Sequence, residues 1–275
     1  MNETPAITVK VLISDAQQAG FSATERLILD WESRGLLAYR TRNSLGYGRG
    51  QAPGTWHPVQ RKLWNVLIDK RPTAKTLTPL LNIPVWLWLS LDDPDGIPTD
   101  QIRRALRSWI RTQAKTTRRQ AERAARQVVE QFSHPALSSR SHAYTADELA
   151  ETLHPKAAIN ENQIKRLESE FDVDNSGRTL GTPDLPLTPR IWAEHINRRI
   201  NSLQAIPDLS DEELWFGRHV YRESMTQYLQ DLPQLAESAL PGSESLFTPM
   251  TPDLLVNRAC QDFTSVLSLY MTPTD

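Results

Sequence analysis

Cysteine is almost absent from this sequence of 275 residues, which holds Cys260 alone, so an internal disulfide and a zinc site built from several cysteines are excluded. The six histidines lack the spacing of a metal site, and we expect no cofactor. Long apolar runs are also missing. The longest, residues 83–91, contains a proline and is less than half of the roughly 20 residues that a membrane-spanning helix needs. We therefore expect no membrane partner.

The motifs of common enzyme classes are missing too. The sequence contains no phosphate-binding glycine loop followed by lysine, no His-Glu-x-x-His and no Gly-x-Ser-x-Gly. His195 and His219 lie beside apolar residues, where histidine is more often part of a core than of a catalytic site. We expect no catalytic residues and no enzymatic activity. The first residues have neither a basic leader with an apolar stretch nor a glycine at position 2, which predicts a cytoplasmic protein.

The net charge of −2 hides an unequal distribution along the chain. Residues 1–135 contain 20 Lys and Arg against 12 Asp and Glu, a balance of +8, whereas residues 136–275 contain 11 against 21, a balance of −10. A basic half of this kind indicates a polyanionic partner, and nucleic acid is the first candidate.

Helical spacing dominates the pattern of apolar residues, which predicts a mostly α-helical protein. A short helix is expected over 14–19, ended by Gly20, and a second begins with Ser22 and Glu25 as a capping pair. In the second helix the core face is formed by Thr24, Leu27, Ile28, Trp31 and Gly35. The face turned away from the core is formed by Ser22, Arg26, Leu29 and Ser33.

A segment rich in glycine and arginine follows the second helix. Its four glycines and one proline exclude a helix, while residues 38–42 and 55–57 can pair as a short hairpin. Residues 58–70 return to helical spacing, with Val59, Leu63, Val66 and Leu67 on one face and Gln60 elsewhere. Residues 10–70 are therefore predicted to form helix, turn, helix, hairpin and helix.

This block resembles the winged helix-turn-helix of the MerR-like DNA-binding proteins. The resemblance rests on Ser14-Asp15-Ala16-Gln17-Gln18-Ala19-Gly20-Phe21-Ser22, on Trp31-Glu32-Ser33-Arg34-Gly35-Leu36-Leu37 and on Gly46-Tyr47-Gly48-Arg49. It covers roughly the first quarter of the chain, and Leu29 sits where that family generally has an arginine. The resemblance implies that the second helix reads bases and that the hairpin is a wing along the DNA backbone.

The candidate DNA contacts follow from this geometry and from charge. We expect phosphate contacts from five basic residues, namely Arg40, Arg42, Arg49, Arg61 and Lys62. We expect base readout from Ser22, Arg26 and Leu29, and we add Asn43 and Tyr47 of the wing. The alternative is a small helical domain in which the basic loop is merely solvated.

Residues 72–98 are predicted to form a proline-punctuated connection, residues 99–132 a long basic helix, and residues 133–143 a linker between domains. Residues 103, 107, 111, 115, 119 and 123 are all Arg or Lys, and like charges at this spacing repel unless something neutralises them. Phosphates, the acidic half of the same chain and a second copy can each do so. The further alternative is a solvated helix docked through a few apolar residues.

The acidic half carries patterns of helices at 146–153, 161–171, 189–203, 211–232 and 252–270. Val256, Cys260, Phe263, Leu267 and Tyr270 form a narrow seam that suits core packing or a dimer interface. Residues 172–177 imitate the start of a calcium loop, but position twelve is Pro183, which lacks the required carboxylate. We therefore predict an acidic loop there.

Together these patterns predict a mostly α protein with an N-terminal winged helix-turn-helix (1–90) bearing a short β-hairpin wing, a basic connecting helix (91–135) and an acidic all-helical domain (136–275). The expected partner is double-stranded DNA, with the chain as a homodimer and a protein or small effector at the C-terminal domain. The expected function is sequence-specific DNA binding by a transcriptional regulator that occupies an operator. An excisionase-like accessory factor of a mobile element and a protein-interaction adaptor without DNA binding are the alternatives.

Overall fold

The computed structural model describes residues 6–41, 53–92, 94–113, 139–153, 159–171, 180–188, 205–240 and 247–270, together with single residues between these ranges. The fold is mostly helical, as predicted. The chain divides into two compact units, and the first comprises residues 1–112, 205–222 and 251–263. The predicted boundaries at 90 and 135 differ from this division, because two segments of the acidic half belong to the first unit.

The first unit begins with β1 (Ile7–Thr8) and α1 (Val9–Gln18) and continues through α2 (Glu25–Arg34), β2 (Thr55–Trp56), α3 (Pro58–Lys70), α4 (Thr78–Ser90) and α5 (Thr99–Gln113). Helices α8 (Asp211–Glu237) and α9 (Pro252–Tyr270) start in this unit and contribute their later residues to the second. The second unit also contains α6 (Ser139–Leu153), α7 (Glu161–Phe171), β3 (Leu180–Thr182) and β4 (Leu185–Leu187).

Helix α2 is held at both ends by local signals. Thr24 is the N-cap, and its hydroxyl accepts a hydrogen bond from the Leu27 amide at 3.2 Å, so the predicted cap at Ser22 is wrong by two residues. At the other end Gly35 adopts φ +79°, and the Leu36 amide donates to the Trp31 carbonyl at 2.9 Å. This closure by a left-handed glycine ends the helix and turns the chain back over the core.

A small antiparallel sheet joins the chain before α1 to the chain before α3. In β1 and β2, Ile7 pairs with Trp56 and Thr8 pairs with Thr55. Thr41 pairs with Thr55 from the other side through two backbone hydrogen bonds of 2.8 and 3.0 Å. The predicted pairing of 38–42 with 55–57 is present at this bridge, and the partner strand β1 was not predicted.

Helix α3 supplies much of the core of the first unit. The Trp64 indole contacts Trp31 of α2 at 5.0 Å between ring centroids and donates a hydrogen bond to the Leu12 carbonyl of α1 at 2.8 Å. Gln60 is fully buried and Val66 is exposed, the reverse of the predicted placement. The helix therefore lies rotated from the expected orientation, with Gln60 turned into a polar network.

That network fixes the segment that leaves α2. The Gln60 amide accepts a hydrogen bond from the Ala38 amide at 2.9 Å and donates to the Gln101 side-chain oxygen at 2.8 Å and to the Gly96 carbonyl. Gln101 in turn donates to the Leu36 carbonyl at 3.2 Å. Because each buried polar atom has a partner, the network specifies one position for the chain between α2 and Thr41.

Residues 78–90 form helix α4 and not the predicted connection. Apolar residues lie on every side of this helix, and Leu80, Leu81, Val85 and Trp88 are almost fully buried. This pattern is typical of a helix that other elements enclose. Trp88 contacts Trp215 of α8 at 5.5 Å between centroids. Tertiary burial outweighs the breaking tendency of its internal proline.

Two helices predicted in the acidic half are confirmed closely. Helices α7 and α9 have the predicted bounds, and α7 begins with a reciprocal cap in which Asn160 and Gln163 exchange two hydrogen bonds of 3.0 Å. The prediction of an all-helical C-terminal domain is wrong, because β3 and β4 form a hairpin with a two-residue turn at 183–184. Residues 139–143, predicted as part of a linker, lie in α6. The calcium-like segment 172–177 is outside the described residues.

Among the residues that the structure describes, no helix combines the length and the apolar character that crossing a bilayer requires.

Candidate nucleic-acid interface

Helix α2 has a buried face and an exposed face, as its sequence predicts. Ile28 and Trp31 are fully buried in the first unit. The opposite face is exposed and carries Arg26, Leu29 and Ser33, whereas Ser22, predicted on this face, is exposed but lies before the helix begins. Leu29 is 48% exposed, which excludes a core position for this leucine.

The chemistry of the exposed face is that of a surface able to read base edges. Arg26 forms no ion pair within the described part of the chain, so its guanidinium is available for a partner with two acceptors. Leu29 lies one turn further along α2 and offers an apolar surface that can contact a methyl group. Guanine presents two acceptors in the major groove and thymine presents a methyl group, which these two side chains match.

Arg40 does not lie at a free surface, which corrects its predicted phosphate contact. Its side chain is 8% exposed and pairs with the buried Glu32 at 3.3 Å and with Glu25 at 3.0 Å. Its guanidinium also lies 5.3 Å from the centroid of the Trp56 ring. Although burial lowers the pKa of Arg40, the hydrogen bonds to Glu32 and Glu25 raise it above its ordinary value. Arg40 therefore joins α2 to the base of the loop.

The bridge between Thr41 and Thr55 joins the described residues on either side of the segment 42–52. Gly54 lies close against the Arg40 side chain, where a Cβ would come within 2.6 Å of the Arg40 Cγ. The remaining wing candidates, Arg42, Asn43, Tyr47 and Arg49, are outside the described residues. Their contribution to DNA binding stays a prediction.

The two basic candidates of α3 differ in their surroundings. Arg61 forms a two-pronged ion pair with Asp15 of α1, at 2.6 and 2.8 Å, and this pairing raises the pKa of Arg61. Its side chain is still 42% exposed. Lys62 is exposed and has no ion pair within the described ranges. Lys62 is therefore the freer of the two for a phosphate.

The first part of the basic helix is neutralised by acidic residues of the same unit. In α5, Arg103 pairs with Asp211 at 2.5 Å and Arg107 lies 3.9 Å from Asp208. Arg104 is buried and pairs with Asp100 at 3.0 Å. Of the alternatives left open by the sequence, neutralisation by the acidic half applies to Arg103 and Arg107. Of the basic positions after 113, residues 115 and 118 are outside the described residues, while Arg119, Arg123 and Arg126 are described and exposed.

This pairing changes the charge balance that the sequence suggested. Counted over the three segments of the first unit, 18 Lys and Arg stand against 16 Asp and Glu, a balance of +2. The second unit then has 13 against 17, a balance of −4. The basic character of residues 1–135 is therefore largely offset by acidic segments that fold with them, and local cationic side chains matter more than net charge.

Several residues that shape this surface could not be found from the sequence. Asp15, Glu32 and Gln60 are polar residues at helix positions that look solvent-exposed, and only their distant partners explain their burial or pairing. The Trp31-Glu32 pair forms part of the family resemblance, but no local pattern connects Glu32 with Arg40. Cys260 is fully buried, and burial raises the pKa of its thiol, so this cysteine is a core residue.

The ion pair of Arg103 and Asp211 gives a testable dependence on pH. Hydrogen bonds from Arg103 and Thr99 lower the pKa of Asp211, so the pair stabilises the fold above the unfolded-state pKa of about 3.9 and is lost as the pH falls through the lower folded value. Asp211→Asn should therefore lower the free energy of unfolding modestly at pH 7, and the difference from wild type should shrink as the pH falls below about 4. The side chain of Asp211 is 58% exposed, which keeps the effect small.

Urea unfolding at pH 7 and at pH 2 measures this effect, with Glu212→Gln as the control because Glu212 is exposed and unpaired within the described residues. A difference between Asp211→Asn and wild type that stays constant from pH 7 to pH 2 would contradict the assigned pair.

Comparison of the chain with models of protein families, with curated proteins and with solved structures finds no match in any of the three.

Proposed function

We propose that this protein binds double-stranded DNA sequence-specifically and regulates transcription by occupying its site, with α1 and α2 as a helix-turn-helix and the loop after Thr41 as a wing. The observation that carries the proposal is the exposed face of α2, where an arginine without an ion pair and a half-exposed leucine lie one turn apart on a helix whose other face is anchored in the core.

The geometry of α2 suits entry into the major groove. With its side chains a helix is about 10–12 Å across, which fits the groove width of about 12 Å, and the ten residues of α2 extend about 15 Å along it. Ser22 precedes α2 and Ser33 lies in its last turn, and both side chains are small and exposed. The C-terminal glycine and the Gln60 network hold the next segment in a fixed position. The loop base at Thr41 therefore has a defined relation to α2, as a wing beside a recognition helix requires.

The contact set that the structure supports is smaller than the one predicted from the sequence. We assign base readout to Arg26 and Leu29, with Ser22 beside them, and phosphate contacts to Lys62 and to the accessible edge of Arg61. Arg40 is withdrawn as a phosphate contact because its guanidinium is enclosed by Glu32 and Glu25. The wing residues complete the proposed surface.

Two substitutions on α2 test this assignment. Arg26→Ala should weaken binding to the preferred site by roughly 1–3 kcal/mol, which is about 5-fold to 150-fold, and should relax preference at one base pair. Leu29→Ala should weaken the same site by about 1 kcal/mol and leave nonspecific binding unchanged, because a contact with a methyl group carries no charge. Fluorescence anisotropy with the full-length chain, on the preferred site and on an unrelated duplex, measures both.

Arg34→Ala is the matched control, because Arg34 lies on the same helix, is exposed and pairs with Asp30 at 2.9 Å. It should leave the ratio of specific to nonspecific affinity unchanged. If Arg26→Ala leaves that ratio unchanged, as Arg34→Ala should, the exposed face of α2 does not read bases. If the wild-type chain binds no duplex at low salt, a role as a protein-interaction adaptor replaces DNA binding.

A further inference from the structure

A groove of about 570 Å³ lies in the first unit between the connection from α3 to α4 and the first turns of α9. One wall is formed by Lys70 and by residues 73–76, and the other by Asp253, Val256 and Asn257, which share one face of α9. The floor is apolar and contains Leu80 and Ile83 of α4. This volume falls in the range of small-molecule sites, about 300–1,000 Å³.

The walls are fixed in relation to each other by contacts outside the groove. The Asn82 side-chain oxygen accepts a hydrogen bond from the Cys260 amide at 2.9 Å and so ties α4 to α9. Within the connection, Arg71 donates to the Ala74 carbonyl at 2.9 Å and the Thr73 hydroxyl donates to the Lys70 carbonyl at 2.9 Å. The groove is therefore preformed, and a ligand need not order its walls.

The charge of the groove favours an anion. Lys70 and Lys75 are exposed at its rim, and neither has an ion pair within the described part of the chain. Asp253 is the one carboxylate among the lining residues, so the lining carries a balance of +1. The apolar floor and the half-buried Val256 offer a surface for a hydrocarbon or aromatic body beneath the two ammonium groups.

We propose that this groove binds a small amphiphilic organic anion, with its carboxylate or phosphate between Lys70 and Lys75 and its apolar body on Pro79, Val256 and the edge of Ile83. The site is distinct from the exposed face of α2, and its occupancy does not depend on DNA binding. A ligand of this class uses both features of the groove, since a purely polar anion would leave the apolar side chains of Pro79 and Val256 in contact with water.

Ligand-observed NMR titration of the full-length chain tests the proposal with four probes, namely octanoate, octyl phosphate, inorganic phosphate and octyltrimethylammonium. The first two should bind, the third should bind at least about tenfold more weakly, and the cation should not bind at the same site. Comparison of octanoate with octyl phosphate identifies the preferred anionic group. In the double variant Lys70→Met and Lys75→Met, affinity for the octyl anions should fall about tenfold. Each exposed ion pair between a lysine and the bound anion contributes up to about a factor of five to that affinity.

Lys10→Met is the matched control, because Lys10 is an exposed lysine of the same unit that does not line the groove. Lys10→Met should leave the affinities for octanoate and for octyl phosphate unchanged. Val256→Trp, which fills the groove without altering charge, should abolish octyl anion binding while circular dichroism and Tm show a folded chain. Equal binding of octanoate and the octyl cation, or an unchanged affinity in the double lysine variant, would overturn the proposal.

Discussion

Replacement of Gly35 by alanine is expected to destabilise the first unit by about 3–5 kcal/mol. The backbone of Gly35 has φ +79°, which costs an L-residue roughly 1–2 kcal/mol. A Cβ at this position would also lie 2.5 Å from the Gln101 carbonyl oxygen and 2.8 Å from the Ala105 Cα, both on the backbone of α5. Because backbone atoms cannot rotate away, α2 and α5 would have to separate.

Gly20 provides the matched control for this prediction. It has a similar φ of +75°, but a Cβ added there meets no atom within 4 Å. Gly20→Ala should therefore cost only the backbone strain, about 1–2 kcal/mol. Urea unfolding followed by circular dichroism measures both variants. Equal losses in the two would show that the close approach of Gly35 to α5 is not present in solution.

Substitution of Arg40 by alanine is expected to cost about 3 kcal/mol or more of folding free energy. Glu32 is only 2% exposed, and its carboxylate accepts hydrogen bonds from the Arg40 side chain at 3.3 Å and from the Arg40 amide at 3.0 Å. Removal of the guanidinium leaves the buried Glu32 carboxylate with the Arg40 amide as a donor but without its ion-pair partner. Removal of one partner of a buried ion pair typically costs about 3–5 kcal/mol.

The salt dependence of DNA binding separates this structural role from a phosphate contact. If Arg40 is structural, the folded fraction of Arg40→Ala should bind with the wild-type slope of log affinity against log salt concentration. A lost phosphate contact would lower that slope by nearly one unit. Arg34→Ala should cost well under 1 kcal/mol, because its partner Asp30 and Arg34 itself are both well exposed. A stable Arg40→Ala protein with a reduced slope would restore the original phosphate assignment.

The parts of the fold that sequence predicted are those governed by local chemistry. The exposed face of α2 follows from 3.6-residue periodicity. The observed exposure of Leu29 confirms which face of this helix points to solvent. The bounds of α7 and α9 follow from capping residues and apolar spacing. The left-handed stop at Gly35 was not predicted, because the sequence pattern placed this glycine on the core face of the helix, although such a glycine is typical of a helix end.

The parts that sequence could not predict depend on partners far along the chain. Gln60 is buried because Gln101 and the Ala38 amide satisfy its side chain, and helix periodicity alone places a glutamine on the solvent face. Arg103 is neutralised by Asp211, 108 residues away. Helix α4 was predicted as a connection because its prolines and its uniformly apolar face conceal helical periodicity.

The first unit is built from three separate segments of the chain, which decides how DNA binding should be measured. A fragment of residues 1–135, which the charge pattern first suggests, lacks Trp215 and Phe263, whose rings pack on Trp88 at 5.5 and 5.7 Å. It also lacks Arg218, which donates to the Trp88 carbonyl at 2.7 Å. Such a fragment exposes part of its own core, so experiments on this protein require the full-length chain.

The proposed reading of DNA by α2 is best tested by selection of duplexes from a random library, with the full-length protein and its Arg26→Ala and Leu29→Ala variants in parallel. The wild-type chain should enrich one motif, and each variant should lose preference at one position of it. The two positions should be neighbouring base pairs, because Arg26 and Leu29 lie one turn apart on the same face of α2. Enrichment of no motif by the wild-type chain, or of an identical motif by all three proteins, would contradict a DNA-reading role for this helix.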